Sequence, residues 1–163
     1  MIKYTKLIAI VFLLLFSLSS MTCEEPNWQS YSNYKAVTMS RIDFENSIKM
    51  TVPQPMKKAG KIYIKDDYMF IGDLNRGFHI YKNENPENPV LIAFIEIPGV
   101  TDIAIREDVF YANQAVDLIA FKLNIENQQV QILKRIPNIF PELISPDGFI
   151  QNVEADQVVV DWN

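Results

Sequence analysis

From about Gly60 to Pro137 the apolar positions alternate with polar ones at a period of two, and the pattern is written twice. Ile62 and Ile64 alternate with Lys61, Tyr63 and Lys65, and the recurring residues are β-branched or aromatic, which predicts strands. Ile62-Tyr63-Ile64 followed by Asp66-Asp67-Tyr68-Met69-Phe70 matches Ile103-Ala104-Ile105 followed by Glu107-Asp108-Val109-Phe110-Tyr111. Phe78-His79-Ile80-Tyr81-Lys82 matches Leu118-Ile119-Ala120-Phe121-Lys122, and Ile97-Pro98 matches Ile136-Pro137. A repeat of about 40 residues has the length of one four-stranded propeller blade. The expected fold is mainly β: two propeller-blade-like antiparallel repeats, a partial propeller, with one short helix before them.

The breaks in the pattern place the turns. Asp66-Asp67 and Glu107-Asp108 stand where a hairpin reverses, and their short side chains suit it. Leu74-Asn75-Arg76-Gly77 is a second turn, with Gly77 able to take positive φ. Asn83 to Pro89 is a third, because proline donates nothing to a ladder. Leu91 to Ile97 then reads as a strand buried on both faces, Ala93, Ile95 and Ile97 on one and Ile92 and Phe94 on the other.

Ahead of the repeat, Ser40 is placed to cap a helix of about ten residues. Asp43 and Glu45 lie in its first turn, Phe44 and Ile48 on one face, and Pro53 and Pro55 beyond its end. Residues 26–37 carry Trp28, Tyr31 and Tyr34, and are expected to strap their rings onto the body. At the start, Lys3 and Lys6 precede an apolar run from Leu7 to Leu18. That run is short of the roughly 20 residues a spanning helix needs, and fits a secretory leader. The chain thus divides into a leader over residues 1–22, a tether with the short helix over 23–59, and the two-repeat β body with its tail over 60–163.

The single cysteine, Cys23, closes no disulfide within the chain and directly follows the leader. Ser17-Leu18-Ser19-Ser20-Met21-Thr22-Cys23 resembles the lipobox of bacterial lipoproteins, in which the cysteine becomes the first residue and carries lipid. The resemblance implies lipidation at Cys23, export, and anchoring at the outer membrane, on the periplasmic face or the cell surface. Two or three acyl chains hold a protein to a bilayer stably where one does not. Glu24-Glu25 resembles the acidic tether of surface lipoproteins in Bacteroidota.

A wider resemblance covers residues 34–162. It rests on Ala36 to Arg41, Gly60-Lys61-Ile62-Tyr63-Ile64, Gly77-Phe78-His79-Ile80, Asn85 to Val90, Ala115-Val116-Asp117-Leu118 and Val158 to Trp162. Together these resemble the N-terminal part of the LVIVD-repeat family, β-propeller-like lipoproteins of Bacteroidota. The family implies a fold with an anchor and supplies no catalytic residues. Its members usually carry further repeats, so a shortened copy of a longer propeller is one expectation. Two blades do not close a ring, and stacked repeats generally need about three to bury their faces. The open edges are therefore expected to be covered by the helix and strap, by the tail from Ile139 to Trp162, by a protein partner, or by a second copy.

Charge and composition narrow the chemistry. A net charge of −5 with no basic run longer than a pair such as Lys57-Lys58 argues against nucleic acid as a partner. His79 is the only histidine and lies inside a strand, where a structural role is expected. No G-x-S-x-G elbow, zinc-ligand cluster or phosphate-binding glycine loop is present, so no cofactor and no metal site is expected. Asp66-Asp67, Asp73, Asp117 and Asp147 read chiefly as turn residues, without the spacing of an EF-hand for calcium, and with a carboxylate pair for glycoside hydrolysis as the catalytic alternative. Arg76 and Asp117 are expected to pair across equivalent loops. The sequence thus favours a binding or scaffolding module on a membrane anchor over a carbohydrate-active hydrolase.

Overall fold

The computed structural model describes residues 32–163. Two antiparallel sheets hold the repeat. The first is ordered β2-β6-β5-β4-β3, from Lys49–Thr51 (β2), Ala59–Lys65 (β3), Tyr68–Asp73 (β4), Gly77–Lys82 (β5) and Val90–Glu96 (β6). The second is ordered β10-β9-β8-β7, from Ile103–Arg106 (β7), Val109–Gln114 (β8), Asp117–Asn124 (β9) and Gln129–Ile136 (β10). A third, two-stranded ribbon joins Ala36–Ser40 (β1) to Gln157–Trp162 (β11). The expected mainly-β, blade-like architecture is present. No helix among the described residues is long and apolar enough to cross a membrane.

Strand register confirms the duplication. Lys65 pairs with Tyr68 as Arg106 pairs with Val109, and Ile71 pairs with His79 as Ala112 pairs with Ile119. The hairpin tips repeat as well, Asp66 at φ 50° and Glu107 at φ 53°. Gly77 sits at φ 152°, and a Cβ there would lie 1.9 Å from the Ile95 carbonyl oxygen, so only glycine fits the second turn.

Each sheet has a front and a back, because residues directly opposite one another across an antiparallel pair share a face. On the first sheet Tyr63, Phe70, Phe78, Ile80, Ala93 and Ile95 form the front. On the second, Ile103, Ile105, Phe110, Ala112, Ile119 and Phe121 form the back. These two faces pack together as one core, which Ile97 and Val100 close at the crossover. Phe70 meets Phe110 edge to face at 5.2 Å, and Phe110 stacks on Phe121 at 5.5 Å. Across the seam, Lys61 and Tyr63 on β3 both reach Asp102, and Lys65 lies 3.5 Å from Asp108. Burial and then the Asp102 carboxylate push the Tyr63 hydroxyl up to about 12.

A second cluster gathers Phe44, Ala115, Val116, Val158 and Val160 between the helix, the ribbon and the β8–β9 turn. The helix, α1, is shorter than the predicted ten residues. It runs Arg41–Asn46, capped by Ser40, whose hydroxyl accepts the Asp43 amide at 3.1 Å. Ile48 lies past its end, because Lys49–Thr51 leaves the helix to pair with β6. This added strand covers the outer edge of the first sheet. Within the predicted tether, residues from Ala36 onward belong to the β body. Tyr34 is 43% exposed and is not strapped down as expected, while Trp28 and Tyr31 lie outside the described residues.

Truncating either ring at the centre of the stack should be costly. Phe70→Ala and Phe110→Ala are each expected to destabilise the fold by about 3–5 kcal/mol in denaturant unfolding, against under about 1 kcal/mol for Ile42→Ala on the exposed side of α1.

Candidate functional site

Two buried carboxylates organise the polar interior. Asp73 ends β4 and has no exposed side-chain surface. It accepts the backbone N–H groups of Lys57 and Lys58 at 3.1 and 2.7 Å, the Arg76 guanidinium, and a contact from His79 Nε2 at 3.2 Å. Arg76 also reaches the Gln54 side chain at 3.0 Å and lies over the Phe94 ring. The strap between β2 and β3 is thereby stitched over the back of the first sheet. His79 is fully buried against Phe94, with ring centroids 4.8 Å apart. Its Nδ1 has no partner among the described residues.

Asp117 opens β9 at the matching end of the second sheet and is also fully buried. Arg41 grips both its oxygens at 3.0 and 2.6 Å, Arg135 donates at 2.7 Å, and the Asn138 backbone N–H donates at 3.0 Å. The two guanidiniums also lie over the Phe44 ring, at 5.4 and 5.5 Å. The expected Arg76–Asp117 pair does not form. Each carboxylate instead takes cations from its own surroundings, Arg76 being three residues from Asp73 and already held there.

Burial alone would raise both carboxyls. At Asp73 the Lys58 and Lys57 amides, His79 and Arg76 outweigh it; at Asp117 Arg135, Arg41 and the Asn138 amide do so. Both are held below the ordinary value of 3.8. Asp147 is held at about 2, first by the Ser145 hydroxyl and then, against burial, by Ser32 and the Asn33 amide. A glycosidase general acid needs the opposite shift, toward its working pH. These aspartates are therefore spent on structure. Asp66 and Asp67 lie exposed at a hairpin tip, the turn role expected of them. Among the described residues no group of three or more His, Cys, Asp or Glu is placed to hold a metal ion. Cys23 lies outside the described residues.

Among the described residues, the front of the second sheet keeps an accessible apolar surface. The tail after β10 crosses the turn end of the second sheet, where the Phe140 amide donates to the Val116 carbonyl at 2.9 Å. Between this tail and the front of the sheet lies a cleft of about 580 Å³. Tyr111, Ala104 and Leu118 form its floor, and Phe140, Leu143 and Ile144 its wall. Tyr111 is 38% exposed, whereas Phe70, at the equivalent position of the first repeat, is 1% exposed. A second cleft of about 550 Å³ lies on the other side of Phe140 and Glu142, with Glu45, Glu154 and Arg41 on its walls. There Glu45 is already tied to Arg41 at 2.7 Å. Sequence reasoning missed the apolar cleft, although the equivalence of Tyr111 to Phe70 was a usable signal.

The buried carboxylates set an acid limit. Their folded values lie below 3.8, so the stability they contribute is present above about pH 4 and lost as pH falls below it. Chemical unfolding should show a plateau above pH 5 and a decline below 4. Asp117→Ala, which strands two guanidiniums, should cost about 3–5 kcal/mol at pH 7 and flatten that decline. Comparison with protein-family models, characterised proteins and solved structures finds no match to this chain.

Proposed function

We propose that the chain is a membrane-anchored lipoprotein whose stacked β-sheet body serves as a binding and scaffolding module for another protein surface. The observation that carries this reading is the exposed apolar front of the second sheet. A tyrosine at the centre of a preformed cleft, with apolar walls, offers the large rigid contact area on which protein interfaces are built. The saturated, acid-shifted carboxylates favour this reading over hydrolysis, since neither Asp73 nor Asp117 has a proton to give near neutral pH. The lipobox-like run before Cys23 supports export and an outer-membrane anchor, on which the body is displayed.

Each half of the proposal has its own test. Labelled palmitate should enter the wild-type chain and be absent from Cys23→Ala; equal labelling of both disposes of the anchor. A photoreactive residue in place of Tyr111, irradiated in intact cells, should give a discrete adduct with one polypeptide. The same residue in place of Asn127, at an exposed tip, should give none; identical adducts from both positions would rule out the cleft.

A further inference from the structure

The two sheets differ in which face is covered, and the repeat makes the uncovered faces complementary. In repeat terms the front of the first sheet (Tyr63, Phe70, Phe78, Ile80) is equivalent to Ala104, Tyr111, Leu118 and Ala120. The back of the second sheet (Ile103, Ile105, Phe110, Ala112, Phe121) is equivalent to Ile62, Ile64, Met69, Ile71 and Tyr81. Inside the molecule a front packs on a back. What remains exposed is the β3 side of the back of the first sheet, clear of the strap that buries His79 and Phe94, and the front of the second.

The exposed sets are mainly apolar, with Lys134 standing at the Ala93 position of the second front. Ile62 is 59% exposed, yet its equivalent Ile103 is 6% exposed in the core; Ile64 is 66% exposed where Ile105 is packed. We infer that a second copy of this chain stacks head to tail, the back of its first sheet on the front of the second sheet of its neighbour. The inference deepens the binding-module reading by naming the partner, and does not depend on the anchor.

Charge signs support this occupant over an arbitrary apolar partner. The internal seam is pinned by Lys65 beside Asp108. The equivalents of these residues are Arg106, on the exposed front, and Asp67, on the hairpin beside the exposed back. Stacking in the same register thus sets Arg106 against Asp67 of the next copy, again cation to carboxylate. Asp102, which already holds Lys61, occupies the Lys61 position of the second repeat, so it would lie between its own Lys61 and that of the next copy. The Phe70–Phe110 pair becomes Tyr111 on Met69, a favourable sulfur–aromatic contact. The tail walls the cleft beside Ala104, Tyr111 and Leu118, and Arg106, toward the hairpin, is exposed. Such an interface is heterologous: each copy uses one face to give and the other to receive.

That asymmetry gives the test. Two differently tagged full-length chains are co-expressed and purified through one tag from detergent-solubilised whole cells. Wild type should recover wild type. Tyr111→Asp paired with itself should recover none, nor should Ile64→Asp paired with itself, because each pair lacks one of the two faces. Tyr111→Asp paired with Ile64→Asp should recover close to the wild-type amount, since one chain still offers a back and the other a front. Arg106→Glu should lower recovery several-fold and Asp67→Arg added to it should restore it, and circular dichroism of these surface variants should match wild type. Absence of wild-type recovery overturns the stacking; a Tyr111 photoadduct to a different protein would then leave the binding reading standing. Equal recovery in every pairing would trace association to another part of the chain and equally overturn it.

Discussion

Phe70 meeting Phe110 at the centre of a sheet-on-sheet seam is the contact on which the molecule depends. Stacking sheets face to face requires every sheet that has two neighbours to be apolar on both sides. The repeat supplies this by placing large side chains at both parities of its strands. Ala93, Phe94 and Ile95 in succession on β6 are all buried, which no strand with a wet face would permit. The same provision leaves apolar residues outside wherever a neighbour is missing. Ile62, Ile64 and Tyr111 are exposed because they belong to a pattern made for stacking.

The polar interior answers a different demand. A strap, a tail and an N-terminal helix cross the ends of the sheets, and each brings backbone amides that need acceptors. Asp73 takes two from the strap, and Asp117 takes one from the tail and two guanidiniums besides. A buried carboxylate with every partner in place fixes where a segment lies more than it adds stability. Gln114 plays a related part, donating to the Phe44 carbonyl at 2.7 Å and so fastening α1 to the end of β8. The ends of the sheets are thereby held by specific geometry, while the middle is held by apolar contact.

The local rules were legible and the distant ones were not. The doubled pattern, both hairpin tips and the turn closed by Gly77 follow from neighbours within a few residues, and the structure bears them out. The pairing of Ala36–Ser40 with Gln157–Trp162 was out of reach, because two strands separated by the whole body share no turn to fix a register. The length of α1 was overread for a related reason. Phe44 and Ile48 keep helical spacing, but Lys49–Thr51 gains a ladder on β6 that outweighs another turn of helix. Arg41 reaches Asp117 across 76 positions, which no spacing rule reveals. His79 has the structural place its strand position implies, but its contacts with Asp73 and Phe94 are properties of the fold alone.

Edges and faces are treated oppositely in this chain, and that bears on how it meets others. The four outer strands of the two large sheets all carry basic side chains: Lys49 on β2, Lys61 and Lys65 on β3, Arg106 on β7, and Lys134 and Arg135 on β10. Charged residues on a sheet edge discourage a second chain from adding a strand, because pairing would crowd like charges along the new ladder. The faces carry no such guard at Ile62, Ile64 and Tyr111. An exposed sheet that is defended at its rims and apolar at its centre directs contact onto the face, where side-chain shape decides the fit. Ion pairs at the hairpins, such as Lys65 with Asp108, then select register more than they add affinity, since they lie in water. Association through complementary front and back faces is head to tail, so it ends where the rotation between copies closes a ring and continues as a filament where it does not.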